Sequence, residues 1–316
     1  MKGPKNMNQA ESPSLVIGNQ EVWLHSSQTM SEIADGTAQL IVTSPPYWNL
    51  KDYHTEGVGK GTYEQYLEEL QVVWDECFRA STSNAVLVVN VNSRRVKGVF
   101  HPIAMDIYAR MRGWKLLQQL IWYIPNALPQ PAGYINRLHD HKFEDVLVFS
   151  KDNNYVFNKP RVTQKYATKD PRAHKKNPMG RSLGDVLRIP AYRPPTIKKM
   201  NYHVAAFPEE LVHFLIHTYS NPGDVVIDPF LGSGTTLKVA RAMERRGVGY
   251  EINPDYGPLI QSRISEPWTP QPFELIDIIA SSAPEPKTSP RRRHKQPENV
   301  IVNGLLSDDA LNEPLG

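Results

Sequence analysis

Two short stretches hold residue types that could do chemistry together. The first is Ser44-Pro45-Pro46-Tyr47, placed directly after the apolar run "AQLIVTS" and directly before Trp48. Proline carries no N–H and ends a sheet ladder, so a strand should stop here. That does not explain a hydroxyl in front of the prolines or two aromatics behind them. The second stretch is "DVVIDPFLGSGTT", residues 224–236. It reads as a buried strand, an acid, a glycine-rich turn and a helix start. Gly232 and Gly234 allow backbone to approach a ligand closely and to adopt positive φ. The N–H groups of Thr235 and Thr236 at a helix start make an anion site. Glu251 ends the next expected strand, 19 residues after Gly232. A carboxylate there can hold both hydroxyls of a ribose.

The same spacing suits a dinucleotide fold, and a lone Gly-x-Gly is a weak signal. A plain strand–turn–helix junction would also produce it. Two details favour a different ligand. Thr235-Thr236 stand where the pyrophosphate fingerprint needs its third glycine. Asp228 sits just ahead of the turn, where it would repel a pyrophosphate but welcome an ammonium. S-adenosylmethionine carries an ammonium, a carboxylate and a ribose. Cys77 falls on an apolar helical stripe and reads as core, so no cysteine nucleophile is expected. His139 and His141 lack a further organised ligand and read as hydrogen-bonding groups, so no metal site is expected.

These residues need elements to hold them. Strands are expected at 38–44, 84–91, 114–124, 144–151, 224–228 and 248–252, from their apolar runs. Helices are expected at 62–81, 101–113, 207–220, 235–247 and about 254–264. Thr62 with Gln65 makes a capping box for the first of these. Pro208 opens the helix at 207–220, with Glu209 and Glu210 at its positive end. Alternation of strand and helix predicts an α/β fold: a doubly wound, mostly parallel sheet.

Residues 151–200 interrupt that alternation. They hold 13 Lys/Arg against 3 Asp/Glu, a net of +10, in a chain of 316 residues whose total is only +3. Tyr155, Phe157, Tyr166 and Tyr192 are interleaved with the charges. Such density calls for an anionic partner, with phosphate the obvious candidate. Lys165, Arg172, Lys175, Lys176 and Arg181 are the expected contacts. No apolar run has the length of a membrane span and no signal peptide opens the chain, so no membrane partner is expected. The single cysteine fits a reducing cytosol. A cytoplasmic, nucleoid-associated protein is the expectation.

Together the motifs resemble those of the amino-methylating DNA methyltransferases. Asp228-Pro229-Phe230-Leu231-Gly232-Ser233-Gly234-Thr235-Thr236 is similar to that family's cofactor loop. Ser44-Pro45-Pro46-Tyr47 is similar to its catalytic tetrapeptide. "HVAAFPEEL", with Phe207 and Pro208, resembles the motif whose helix covers the methionine end of the cofactor. The catalytic motif comes first, with a basic insertion before the cofactor motif, which resembles the β-type order. The resemblance implies the methyltransferase sheet fold and S-adenosyl-L-methionine as cofactor, bound by Asp228 to Thr236, Glu251, Phe207 and Pro208. It implies duplex DNA as substrate, with base flipping.

It divides residues 14–265 into 14–150 (catalytic half), 151–200 (target recognition) and 201–265 (cofactor half); polar composition predicts disorder at 1–13, and the proline-rich shift from Glu266 predicts a disordered tail at 266–316, in which "FELIDII" (273–279) is the stretch able to dock locally. Ser44 and the Pro45 carbonyl would accept from an exocyclic amine, Tyr47 would stack on the base, and Trp48 would either add a second wall or simply be packed. Ser at the tetrapeptide's head implies cytosine N4; adenine N6 is the alternative, and a non-catalytic DNA-binding module a remote one. Methylation of RNA or a protein amide stays open as a further substrate class. The resemblance leaves room for a homodimer and for a cognate restriction endonuclease acting on the same site.

Overall fold

A computed structural model describes residues 12–48, 61–131, 133–163, 172, 175, 180–192, 194–200 and 206–278. Its strands are β1 Leu15–Ile17, β2 Gln20–Trp23, β3 Ala38–Thr43, β4 Ser81–Val91, β5 Arg94–Val96, β6 Val99–His101, β7 Lys115–Tyr123, β8 Phe143–Ser150, β9 Val186–Arg188, β10 Val225–Asp228 and β11 Arg246–Tyr250. Its α-helices are α1 Tyr63–Ala80, α2 Ile103–Arg110, α3 Pro195–Lys199, α4 Glu209–Tyr219, α5 Thr235–Ala242 and α6 Gly257–Ser265.

Nine strands form one sheet in the order β1-β2-β11-β10-β3-β4-β8-β7-β9. The run from β2 to β4 is parallel throughout, as is β7 with β9. The expected doubly wound, mostly parallel sheet is therefore present. Two features depart from simple alternation. β7, β8 and β4 are antiparallel neighbours, and a β1–β2 hairpin forms the other edge. β9, drawn from the basic insertion, adds the last strand.

Alternating side chains build two cores, because successive residues of a strand face opposite sides. Ile41, Leu87, Val89 and Ile227 face α1 and α2, beside Tyr66, Leu70, Trp74 and the buried Cys77. Leu40, Val42, Val86 and Val88 face α4 and α5, beside Leu211, Leu215 and Val239. The Thr62–Gln65 capping box forms in both directions and fixes the start of α1.

The expected tail boundary needs correction. Residues 266–278 pack on the fold instead of leaving it at Glu266. Arg188 donates its N–H to Ile276, Ile276 is buried, and Asp277 pairs with Arg181, both carried out of water. Burying an ion pair needs mutual geometry, and the Pro270–Pro272 region hides that signal in the sequence. The expectations for 1–11 and 279–316 lie outside the described residues. No described helix is long and apolar enough to cross a membrane.

Breaking a buried ion pair by removing one member costs about 3–5 kcal/mol. Asp277→Ala should lower unfolding free energy by about that amount in a urea titration. A change near zero would show that the 266–278 segment contributes nothing to the fold.

Candidate active site

The chain ends of three parallel strands meet at one edge of the sheet, where ligands of open α/β sheets bind. β3 lies between β10 and β4. The register pairs Ile227 with Ile41 and Thr43 with Val89. Ser44 thus leaves β3 with Asp228 on one side and Asn90 on the other.

Asp228 is fully buried, and no cation of the described residues pairs with it. One carboxylate oxygen accepts the Thr43 hydroxyl at 2.7 Å and the Phe230 N–H at 3.1 Å. The other accepts the Thr236 hydroxyl at 2.6 Å. Burial pushes the carboxyl up to about 6, against the pull of those three donors. The expectation that Asp228 would meet a ligand ammonium is corrected here. Its oxygens face the protein and join the catalytic strand to the helix after the glycine turn.

The turn needs its glycines. Gly232 and Gly234 have φ of 55° and 88°, in the region L side chains avoid. Gly234 precedes α5, whose first turn receives no side-chain cap. The N–H groups of that turn are thus available to an anion. Glu251 stands across the turn. Its Oε2 accepts the Gly232 N–H at 2.9 Å and its Oε1 the Asn253 N–H at 2.8 Å. Burial raises its carboxyl to about 7. Ser233, Thr235 and Pro229 are buried within the turn; Phe230 is half-buried against Trp74.

Pro208 begins α4 and Phe207 packs partly buried beside it. Glu209, the first α4 residue, pairs with Lys238 at 2.9 Å and with the fully buried Arg263 at 2.8 Å. Glu266 completes the cluster with both cations. Four charges thereby lock α4, α5 and α6 behind the turn.

On the other side of Ser44, the Tyr47 hydroxyl donates to Glu144 Oε2 at 2.8 Å. Asn90 Nδ2 donates to the same oxygen at 2.7 Å. Ser44 Oγ lies 3.4 Å from the Tyr47 oxygen and 3.5 Å from Asn90 Nδ2. Burial, with Glu144 alongside, raises the Tyr47 phenol; burial also raises the Glu144 carboxyl. Sequence reasoning missed Glu144 and Asn90. Their signal was a polar residue inside an apolar strand: Asn90 in "VLVVNV" and Glu144 at the mouth of "DVLVFS".

Two expected DNA contacts are also corrected. Trp48 is committed to a cage in which its ring lies 5.1 Å from Tyr63 and 4.8 Å from His101. Its indole N–H donates to the Gly61 carbonyl. Arg181 is buried with Asp277. Arg172 and Lys175 are exposed, whereas Lys165 and Lys176 lie outside the described residues. His141 hydrogen-bonds Asn92, and no metal-binding cluster occurs among the described residues.

A family model described as DNA methylase, of the N6/N4 type, matches residues 38–262. The chain is similar to the Type II methyltransferase M.MjaI of Methanocaldococcus jannaschii, 28% identical over 79% of this chain and 92% of the relative. It is similar to M.HpaI of Haemophilus parainfluenzae, 27% identical over 88% of this chain and 82% of that one. Among solved structures, PvuII DNA methyltransferase (cytosine-N4-specific) superposes with a TM-score of 0.62 at 22% identity, covering 84% and 92% of the two chains. That likeness is one of fold. A DNA modification methylase of Thermus thermophilus, TTHA0409, complexed with S-adenosyl-L-methionine, gives a TM-score of 0.53 at 26% identity, covering 78% and 94%.

The Asp228 clamp yields a stability prediction. Thr43→Val leaves a buried carboxylate short of one donor, which costs about 1–3 kcal/mol. Urea unfolding should show a loss in that range. A loss below about 0.5 kcal/mol, the scatter of inert surface changes, would remove the clamp.

Proposed function

The chain belongs to the N6/N4 DNA methylase family, and from that premise we propose that it methylates the exocyclic N4 of cytosine in duplex DNA after extruding the base. The observation that carries this is the Thr43–Asp228 hydrogen bond, which puts Ser44 beside the glycine turn. Its cofactor is S-adenosyl-L-methionine. The residues present fit that molecule: an uncapped helix start for the carboxylate, two positive-φ glycines for close approach, and Glu251 for the ribose hydroxyls. When bound, it supplies the methyl group on a sulfonium.

An exocyclic amine is a weak nucleophile because its lone pair is delocalised into the ring. The Ser44 hydroxyl and the Pro45 carbonyl accept its N–H hydrogens and so localise the lone pair. The flanking prolines hold that carbonyl rigid, so little reorganisation is needed at the moment of reaction. Tyr47 stacks on the extruded base, a contact worth roughly 1–3 kcal/mol in single-strand binders. That is comparable with the few kcal/mol that extrusion costs. Fastening the Tyr47 hydroxyl to Glu144 sets the plane of the ring. Lys165, Arg172, Lys175 and Lys176 bind DNA phosphates. Ser44 at the head of the tetrapeptide supports cytosine over adenine, as does the fold shared with a cytosine-N4-specific enzyme. The relatives' designation as Type II methyltransferases supports a cognate restriction endonuclease as partner.

Two measurements test this reading. DNA from cells expressing the protein, digested to nucleosides, should contain N4-methylcytosine and no added N6-methyladenine; the reverse would reassign the base. Ser44→Ala should lose at least about a hundredfold in methyl transfer, the usual scale for one positioned polar group, with cofactor affinity intact. Unchanged turnover would remove the catalytic assignment.

A further inference from the structure

Glu144 is a buried carboxylate, and no cation of the described residues pairs with it. Two side-chain donors converge on a single oxygen of it: the Tyr47 hydroxyl and the Asn90 amide. Both Tyr47 and Asn90 reach Ser44 Oγ on their other side, at 3.4 and 3.5 Å. These are long contacts, of the kind that tighten when substrate binds. The Asn90 Oδ1 atom is buried without a partner. Its amide is therefore turned to give its N–H to Glu144, leaving its own acceptor unused.

We infer that Glu144 is a positioning residue for methyl transfer: as an anion it orients the Tyr47–Ser44 hydrogen-bond chain so that Ser44 offers a lone pair to the amine. This rests on the proposed role of Ser44. An ionised Glu144 can only accept, so the Tyr47 O–H must point at it. The Tyr47 oxygen then accepts the Ser44 O–H, one Ser44 lone pair accepts from Asn90, and the other faces outward to the amine N–H. A protonated Glu144 reverses the chain and turns the Ser44 hydrogen toward the amine.

The charge contributes a second effect. In the reaction the nitrogen lone pair forms the N–C bond as the C–S bond breaks with its electrons on sulfur. The nitrogen carries positive charge until it releases one proton to water. An anion two hydrogen bonds away stabilises that charge in a site of low dielectric.

The acid limb of kcat should report Glu144. Burial raises its carboxyl above the ordinary range. Activity is present above that raised value and lost as pH falls through it. The other groups facing it are Tyr47 from the loop after β3, Asn90 and Asn92 from β4 and its end, and Asp145 beside it on β8. Asp145 is also raised by burial and hydrogen-bonded by Gln119, and His141 touches Asn92.

The test measures kcat against pH in the full chain with S-adenosylmethionine and duplex DNA, for wild type, Glu144→Gln, Glu144→Asp and Ser44→Ala. Cofactor and DNA affinities are read alongside. Glu144→Gln should keep both affinities, lose about tenfold to a hundredfold in kcat and lose the acid limb. Glu144→Asp should keep the limb and lie between. Wild-type kcat in Glu144→Gln would overturn the inference. So would an unchanged limb, which would assign the titration to another group such as Asp145. If Glu144→Gln fails to fold, a Glu144→Asp profile without an acid limb overturns it equally. Ser44→Ala separates the two claims. An inactive Ser44→Ala beside a fully active Glu144→Gln refutes only the role of Glu144, whereas an active Ser44→Ala refutes the reading beneath it.

Discussion

One buried carboxylate joins the two halves of the site. Asp228 ends β10 and accepts from Thr43 at the end of β3, from Thr236 in α5 and from the Phe230 backbone. Removing such a group from water is expensive, and burial outweighs the three donors enough to raise its carboxyl to about 6. Near neutral pH it is still mostly ionised and can accept from both threonines at once. The proposed catalytic tetrapeptide starts one residue after Thr43, and the glycine turn lies between Asp228 and Thr236. Their separation of nearly two hundred positions in sequence is thus closed by contacts of under 3 Å.

Everything around that clamp holds its two sides still. Behind the turn, the Glu209–Lys238–Arg263–Glu266 cluster fixes three helices, with Arg263 fully buried and matched by carboxylates. Behind the tetrapeptide, Glu144 and Asn90 fasten Tyr47 and approach Ser44. The chemistry asks little of the protein beyond placement, since methyl transfer to an amine needs no covalent enzyme intermediate. What it needs is an amine whose lone pair points at the methyl carbon. In the proposed mechanism the Ser44 hydroxyl and Pro45 carbonyl achieve that, with the hydrogen bonds of Glu144 behind them.

Strong local patterns were legible in the sequence. The apolar runs located β3, β4, β10 and β11 but not the short parallel strands β2 and β9, the Thr62–Gln65 box located α1, and the glycine turn sat where its composition placed it. Pairing direction was not legible: β7 and β8 read as ordinary buried strands, yet lie antiparallel beside β4. Long-range polar partners were hidden for the same reason. Asp228 looked like a ligand contact because its hydroxyl partner Thr43 is 185 positions away. Arg181 looked like one more phosphate contact because its partner Asp277 is 96 positions away, in a stretch whose docking the sequence suggested without naming a partner. For Trp48 the sequence left a base-stacking wall and simple packing open, and the rings of Tyr63 and His101 enclose it. A polar residue inside an apolar strand was the available clue to Asn90, and it became meaningful only once β4, β3 and β8 were adjacent.

The most direct measurement is a crystal structure of this protein with S-adenosylmethionine bound. The methionine carboxylate should lie against the first turn of α5, with the methyl carbon directed across Asp228 toward the open side of Ser44 and Pro45. A reacting nitrogen placed within hydrogen-bond distance of Ser44 should then fall about 3–3.5 Å from that carbon, a near-attack geometry. A cofactor whose methyl points away from the end of β3, or that binds with the Thr43–Asp228 contact broken, would contradict the account.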